Sequence, residues 1–508
     1  MRDPCSHGMR GNKMLTRLKV NGFKNLVDVD VRFGPFTCIA GPNGVGKSNL
    51  LDAITFMSAL TDRSLHEAAL SVRDDGSKTG DLRTIFHRIG DTYDTEMTLE
   101  AEMIIPPEGY DDLGQLAKAS ITFLRYKVKL AYKDGDSRGF GRIELLQEEL
   151  THINIGDAKK EIAFPSDDSW MKTAVHGRRT APFISTVNQA AGPLIKVHQN
   201  SGSSGRPREL RASSLPRTVI SASDAAESPT AVLAKREMQS WRRLQLEPSA
   251  LRRPDSFTAP TVLGSDGSHL PATLYHLAKG QVPSIDSESS ERMSDTYARI
   301  ANRLSSLIDD VREVYVDRDE RRELLTLVVS GRDRTPHAAR SLSDGTLRFL
   351  ALGVIELDSR AHGVLCLEEP ENGIHPARIK AILDLLQDIA TDTYFPVSED
   401  NPLRQVIINT HSPAVVSEVP DNCLIVAESQ PWSKDGVRFE RLTFGSLSGT
   451  WRGNSNVMSK SKLFAYLNPV EPLAAENDIQ SVPTRFAKVR VFDRKDMQMA
   501  LEWGKHTA

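Results

Sequence analysis

The sequence predicts an α/β protein with a mixed, largely parallel sheet, an antiparallel β subdomain and an α-rich insert. Apolar segments at 36–40, 363–367 and 405–409 alternate with helical segments, and that alternation is typical of a parallel sheet. Residues 15–20 alternate apolar and polar side chains, as a half-buried strand does. A glycine-rich loop directly follows residues 36–40 and leads into a predicted helix. Strand, loop and helix in this order indicate a phosphate-binding core.

The composition is that of an ordinary globular protein. The chain has 508 residues, 39% of them hydrophobic, and a formal net charge of −3. Nucleic-acid binding would therefore need a local basic patch. No apolar run approaches the roughly 18 residues of a membrane span. The four cysteines lie far apart and show neither metal-ligand spacing nor a disulfide framework. We expect a cytoplasmic protein with no membrane contact.

The pattern divides the chain into five segments. Residues 1–13 are predicted to be a flexible leader, and residues 14–165 and 331–445 are predicted to be the two lobes of the core. Residues 166–330 are the insert, predicted as a basic loop plus helices because its first part is rich in Ser, Pro, Gly and Arg. Residues 446–508 are predicted to be a C-terminal extension that docks a partner.

The strongest signal is the string Gly41-Pro-Asn-Gly-Val-Gly-Lys-Ser48, which fits GxxxxGK[ST] between a strand and a helix. Glycines let backbone N–H groups approach phosphates, and a helix N-terminus adds partial positive charge. We expect Lys47 to reach the phosphates and the Ser48 hydroxyl to ligate Mg²⁺. The predicted nucleotide-binding residues of this loop and helix are Asn43, Gly44, Gly46, Lys47, Ser48 and Asn49.

The apolar strand at 363–367 ends in two acids, Glu368 and Glu369. One carboxylate at such a strand end can hold Mg²⁺, and the next can orient or deprotonate a water molecule. We therefore predict Ser48 and Glu368 as metal ligands and Glu369 as catalytic. Glu368 stands where aspartate is usual, so a nucleotide-binding scaffold that barely hydrolyses is an alternative.

Three further sequence strings narrow the class of nucleotide-binding protein to which these residues point. Residues 341–346 read SLSDGT before a predicted helix, and a hydroxyl residue with glycine at a helix start can hold an anion. Residues 369–376 read EPENGIHP. Residues 409–413 read NTHSP directly after an apolar strand.

In this order the strings resemble the motifs of ABC-type ATPases that are not transporters, the RecF/SMC/OLD-like group. The resemblance implies an ABC-type P-loop core, ATP and Mg²⁺ as cofactors, and a homodimer or higher oligomer that hydrolyses ATP between its subunits. The residues implied are Ser341, Ser343, Asp344 and Gly345 in a signature loop that acts in trans, Glu371, Asn372 and His375 in the D-loop, and His411 as the catalytic switch residue. The opening string NGFKN further places Lys24 near the nucleotide, and Gln147 is the candidate for the Q-loop glutamine.

The spacing of the motifs separates subgroups. Ser341 lies 293 residues after Ser48, and the intervening sequence sustains no heptads of a long coiled coil. This argues against SMC proteins and against the ATP-binding subunit of a transporter, which is the weakest alternative. A globular insert fits better, and the strings at 241–248 and 264–270 resemble those of small bacterial predicted ATPases.

Within the insert, residues 171–217 contain eight Lys or Arg residues and a single acid, Glu209. Such a patch suits contacts with a phosphate backbone, and a solvated flexible loop is the equally weighted alternative. The candidate DNA contacts are Arg178, Arg179, Arg206, Arg208 and Arg211.

Two functions remain open from the sequence. The first is an ATP-driven switch that acts on DNA in anti-phage defence with a separate nuclease or effector, as in Septu. The second is a RecF-like repair ATPase without a nuclease partner. Glu428 lies near the place of the first nuclease glutamate of OLD proteins, but the acid pattern expected after it is absent. We therefore predict no intrinsic nuclease.

Overall fold

The computed structural model describes residues 13–72, 81–135, 141–200, 207–280, 287–308, 310–434, 436–452 and 457–458. The strands are β1 (Met14–Asn21), β2 (Val29–Arg32), β3 (Phe36–Ala40), β4 (Arg88–Ile89), β5 (Thr92–Tyr93), β6 (Glu96–Ile104), β7 (Glu108–Tyr110), β8 (Leu116–Lys118), β9 (Phe123–Lys133), β10 (Arg142–His152), β11 (Ile184–Gln189), β12 (Gly192–Val197), β13 (Arg208–Arg211), β14 (Arg242–Leu244), β15 (Asp255–Ser256), β16 (Val311–Asp319), β17 (Leu324–Gly331), β18 (Pro336–Ala338), β19 (Gly363–Glu368), β20 (Arg404–Thr410), β21 (Leu424–Lys434) and β22 (Val437–Ser446). The helices are α1 (Lys47–Ala59), α2 (Leu65–Leu70), α3 (Ile155–Glu161), α4 (Asp168–Ala174), α5 (Pro229–Gln239), α6 (Pro248–Leu251), α7 (Leu270–Lys279), α8 (Ser287–Ser305), α9 (Asp344–Leu357), α10 (Ile379–Ile389) and α11 (Pro413–Glu418).

A six-stranded sheet carries the predicted phosphate-binding loop. Its strand order is β14-β19-β20-β3-β21-β22. The first five strands pair in parallel, and β22 pairs antiparallel with β21. Strands β3 and β20 are buried along their full length, as parallel strands covered on both faces are. The carboxyl ends of β3, β14, β19 and β20 therefore meet at one edge of the sheet.

The predicted antiparallel subdomain is an eight-stranded sheet in the order β13-β12-β11-β10-β9-β6-β1-β2. Side chains of β1, β6 and β9 share one apolar core with Leu50, Ile54 and Phe56 of α1 and with Val364 and Cys366 of β19. Residues on the other face of the parallel sheet pack with α9 and α10 in a second core. Helix α1 thus belongs to the core between the two sheets, which fixes the loop that precedes it.

The first part of the insert is not the loop that its composition favours. Helix α4 and strands β11, β12 and β13 occupy this region, and the three strands extend the antiparallel sheet from β10. The composition predicted a loop because it is rich in polar residues. Most side chains of β11–β13 are exposed or half-buried, so polar residues are accommodated in these strands. The antiparallel sheet therefore continues across residue 166, the predicted boundary between the first lobe of the core and the insert.

The rest of the insert contributes to two places. Strand β14 forms the edge of the parallel sheet beside β19. Strands β15–β18 form a separate four-stranded sheet, and α7 and α8 share an apolar core with β16, β17 and α9. The insert therefore carries the predicted helices as well as strands. Within the described part of the chain, we find no helix with both the length and the apolar character to cross a bilayer.

Candidate functional site

The loop between β3 and α1 has the conformation that its glycines predict. Gly41, Gly44 and Gly46 all have positive φ, at 156°, 77° and 105°. Helix α1 begins with neither a side-chain cap nor an acidic residue in its first turn. Asn43 and Gly44 are exposed at the tip of the loop. An uncapped helix start behind an exposed glycine loop is suited to bind phosphate groups.

Lys47 is held inside this loop. Its Nζ donates to the carbonyl oxygens of Gly41 and Pro42, at 2.7 and 2.8 Å, and the residue is buried. Burial lowers the pKa of Lys47, against the opposing effect of the nearby carboxylates Glu369 and Glu368. Phosphate oxygens bound in this loop would add negative charge beside the Lys47 ammonium group and would stabilise its protonated form.

Asn25, which carried no predicted role, fixes the loop from the side. Its Nδ2 donates to Val45 O at 2.9 Å, and its Oδ1 accepts from Asn49 Nδ2 at 2.7 Å. A Cβ on Gly46 would lie 2.1 Å from Asn25 Nδ2, and Gly46 has φ of 105°, so both this contact and the backbone conformation favour glycine. Lys24 Nζ lies 2.7 Å from Asp52 Oδ2 of α1, four residues after Ser48, and its predicted place near the nucleotide stays a prediction.

The predicted catalytic carboxylate, Glu369, lies at the centre of a hydrogen-bonded cluster. His411 Nδ1 lies 2.6 Å from Glu369 Oε1, and Asn372 Nδ2 donates to Glu369 Oε2 at 2.8 Å. Burial alone would raise the pKa of Glu369, but the bonds from Asn372 and His411 outweigh it, so its pKa lies below the ordinary value. The structure therefore brings together Glu369, D-loop Asn372 and His411.

Asn409 connects this cluster to the loop. Its Oδ1 and its carbonyl oxygen both accept from the Glu369 backbone N–H, at 3.2 and 3.0 Å. Its Nδ2 lies 3.5 Å from Ser48 Oγ. The sequence contained Asn409 in the NTHSP string, but its role depends on β20 lying between β3 and β19.

The predicted Mg²⁺ ligands are the hydroxyl of Ser48 and the carboxylate of Glu368. Ser48 Oγ lies near Asn409, and Glu368 ends the strand next to β20. Glu368 Oε1 is buried and forms an ion pair with Arg243 Nη2 at 2.9 Å, although the two atoms are not aligned as a hydrogen bond. A hydroxyl and a carboxylate oxygen with unused acceptor capacity fit a hard cation such as Mg²⁺.

The signature and D-loop strings pack on each other. Ser343 caps α9 by accepting from Thr346 N at 3.2 Å, and Ser341, Ser343 and Asp344 are exposed. A Cβ on Gly345 would lie 2.4 Å from Gly373 O. The close approach of α9 to the D-loop therefore requires glycine at 345.

The other D-loop residues have local contacts. Glu371 is buried and accepts from Thr410 Oγ1, and burial raises its pKa. His375 caps the short 3₁₀ helix Pro376–Arg378 through Nδ1. Both side chains thus stabilise the segment that carries Asn372.

The glutamine beside the acids is Gln245, which the sequence reasoning missed. Gln245 follows β14, and Leu244 pairs with Leu367 in the parallel ladder, so Gln245 lies level with Glu368. Gln245 lines a cavity of about 160 Å³ with Glu368 and Glu369. Gln147, the predicted candidate, lies instead on β10 of the antiparallel sheet and donates to Glu149.

The candidate DNA contacts differ in availability. Arg208 and Arg211 are exposed on edge strand β13, and Arg178 is also exposed. Arg179 instead donates to the carbonyl oxygens of Ala181, Gln199 and Asn200 and stacks on Phe183. The Arg179 guanidinium is thus engaged by contacts within the chain, unlike those of Arg178, Arg208 and Arg211, which are exposed. Arg206 lies outside the described residues.

Two family models match the chain. Residues 212–417 match AAA_21, an AAA domain family whose description cites the AbiEii toxin and type IV toxin–antitoxin systems. Residues 14–77 match the RecF/RecN/SMC N-terminal domain. The two matched ranges contain the loop after β3, the signature string, both acids and His411.

Curated relatives match over short segments. An OLD nuclease of Thermus scotoductus is 54% identical over 41 residues, which is 8% of each chain. The RecF DNA replication and repair protein of Magnetococcus marinus is 47% identical over 55 residues, 11% of this chain and 14% of the relative. The chain thus aligns with only a small part of either relative.

Solved structures include SMC head domains. One, bound to the C-terminal winged-helix domain of ScpA, covers 85% of this chain and 98% of its own, with 13% identity and a TM-score of 0.43. Another, bound to ScpA from Pyrococcus furiosus, has 11% identity, a TM-score of 0.42 and the same 85% coverage of this chain. In these separate segments the chain is similar to ABC-type ATPases of the RecF/SMC/OLD-like group.

Proposed function

We propose that this chain binds ATP with Mg²⁺ and hydrolyses it as a dimeric switch. The observation that carries the proposal is the cluster in which Glu369 meets His411 and Asn372 at the edge of the sheet that also carries Lys47. One carboxylate held by two neutral or cationic donors is positioned to accept a proton from water.

Each residue of the candidate site has a separate proposed role. Lys47 and the N-terminus of α1 would bind the phosphates, and Ser48 and Glu368 would hold the metal. Mg²⁺, when bound, would neutralise charge that develops on the phosphates. Glu369 orients or deprotonates the attacking water, and His411 holds the Glu369 carboxylate through the 2.6 Å contact. Exposed Ser343 and the N-terminus of α9 are offered to the nucleotide of a second copy.

A DNA-related role is proposed on two grounds. Arg208 and Arg211 present positive charge on an exposed edge strand, and one short-segment relative is named a DNA replication and repair protein. We further propose anti-phage defence with a separate nuclease or effector, because the AAA_21 description cites toxin–antitoxin systems. Repair without a nuclease partner is the second candidate, favoured by the RecF match.

The nucleotide site is tested by two variants. Lys47→Ala should abolish productive ATP binding. Glu369→Gln should keep binding but slow turnover by about 10²–10⁴-fold, because the amide cannot accept a proton. Equilibrium nucleotide binding and phosphate release are the measurements. Turnover by Glu369→Gln at the wild-type rate would contradict the role of Glu369.

A further inference from the structure

Four charged side chains of alternating sign form a series of ion pairs beside the proposed nucleotide site. Lys24 Nζ lies 2.7 Å from Asp52 Oδ2, and Arg243 Nη1 lies 2.7 Å from Asp52 Oδ1. Arg243 Nη2 then lies 2.9 Å from Glu368 Oε1. The four groups come from the turn after β1, from α1, from β14 and from the end of β19.

The network lies below the proposed metal site. Asp52 is four residues after Ser48 on α1, so both side chains lie on one face of the helix. The side chain of Asp52 is 1% exposed and that of Arg243 is 17% exposed. A carboxylate so deeply buried needs both of its cations, because an unpaired buried charge is costly.

Arg243 has a geometry that single-point cations lack. Its planar guanidinium reaches Asp52 with one terminal nitrogen and Glu368 with the other, at a fixed mutual geometry, whereas lysine would have to contact both carboxylates from a single nitrogen. Glu368 has one more rotatable bond than the aspartate usual at this position, so its carboxylate needs an additional constraint. The 2.9 Å ion pair supplies that constraint.

We propose that Arg243 is a positioning residue that orients the Glu368 carboxylate for Mg²⁺. The inference rests on the proposed function, in which Ser48 and Glu368 hold the metal. Arg243 engages Oε1 from below, Asp52 fixes the other end of the guanidinium, and Lys24 balances the remaining charge of Asp52. Metal affinity is therefore coupled to a strand, β14, that contributes no predicted ligand.

The test is equilibrium binding of a fluorescent ATP analogue, titrated with Mg²⁺, in the full-length chain. Arg243→Gln should raise the Mg²⁺ concentration for half-maximal binding by about 10–100-fold, as loss of a group that orients a metal ligand does. Binding measured in excess EDTA should change little. Arg243→Lys should also shift the Mg²⁺ midpoint, while its positive charge preserves folding if the glutamine variant fails to fold.

Two controls separate positioning from general stability. Arg303→Gln removes two partly buried ion pairs elsewhere in the chain, one with Glu356 and one with Asp388, and it should leave the Mg²⁺ midpoint unchanged. In a Glu368→Ala background, Arg243→Gln should add little further shift, because residues that act as a unit are non-additive.

The outcomes are distinguishable. If the wild-type chain binds nucleotide without any Mg²⁺ dependence, the proposed metal site fails and this inference fails with it. If the wild-type chain shows that dependence but folded Arg243→Gln and Arg243→Lys keep its midpoint, the inference alone is overturned. An equal shift from Arg243→Gln in the Glu368→Ala background would also overturn it.

Discussion

The backbone at Glu369 singles out one of the two acids that end β19. Glu369 has φ of 45°, in the left-handed region that non-glycine residues rarely adopt. Such a conformation costs on the order of 1–3 kcal/mol and persists where the surroundings enforce it. Asn409 and Asn372 both bond to this residue. The strain thus coincides with the carboxylate that we propose to be catalytic.

A second acid, Glu148 on β10, has a structural role that depends on pH. The residue is fully buried and accepts from the backbone N–H groups of Val219 and Ile220, at 2.6 and 2.8 Å. Tyr126 Oη also donates to it, at 3.2 Å. Burial raises the pKa of Glu148 to about 7, against these hydrogen bonds. Glu148 therefore joins β10 to the segment after β13.

The raised pKa of Glu148 predicts that the stability of the folded state falls as pH rises from about 4.5 to about 7. Because the folded pKa exceeds the ordinary value of 4.5, the contribution of Glu148 is fully present below pH 4.5 and is lost as pH rises through 7. The shift corresponds to about 3 kcal/mol. Glu148→Gln cannot titrate, so the difference in unfolding free energy between wild type and this variant should decrease over that interval. Chemical denaturation from pH 4.5 to 8 measures it, and a constant difference would contradict the assignment.

At the scale of elements, the N-terminus of α9 is the most informative. Ser343 is exposed while its hydroxyl caps the helix, and Gly345 lies tightly against the D-loop. A loop fixed by its own chain but open to solvent suits contact with a second copy. This arrangement supports the proposal that the signature loop of one copy completes the nucleotide site of the other.

Mixed dimers test this arrangement. Lys47→Ala and Ser343→Arg homodimers should both be inactive, whereas the heterodimer should regain up to half of wild-type ATPase activity, because one of its two sites has both intact parts. Phosphate release by tandem-tagged heterodimers measures it. Ser64→Ala also removes a helix cap, that of α2, and should keep activity while losing about 1 kcal/mol of stability. Proven heterodimers without activity would rule out a shared site.

At the scale of the whole molecule, two sheets and α1 bring distant segments to one edge. Lys24, Asp52, Arg243 and Glu368 meet although Lys24 and Glu368 are 344 residues apart. The antiparallel sheet meanwhile extends to the exposed strand β13. The proposed nucleotide site and the proposed DNA contacts thus lie on different sheets of one compact unit.

The chain should bind DNA through β13 without cutting it. Replacing Arg208 and Arg211 with alanine should weaken binding uniformly across sequences and reduce the slope of log affinity against log salt by about 1–2. Replacing exposed Arg321 and Arg322, on the turn between β16 and β17, is the matched control and should leave the slope unchanged. An unchanged slope in the β13 variant would favour the alternative of a merely solvated patch.

The same samples test the absence of nuclease activity. Pure protein with supercoiled or linear DNA and Mg²⁺ or Mn²⁺ should give no cleavage, with or without ATP. Cleavage that persists in homogeneous protein carrying Lys47→Ala would contradict this prediction.

The sequence by itself determined the strand–loop–helix unit, the two acids and the parallel core. Short runs of consecutive residues determine these features, because the glycine loop directly joins the end of its strand to the start of its helix. Only the tertiary structure placed Gln245 rather than Gln147 beside the acids, and paired Arg243 with Glu368. Those contacts depend on β14 lying next to β19, and no local pattern specifies strand order. Composition likewise failed for β11–β13, since exposed strands are stabilised by backbone pairing that polar side chains do not reveal.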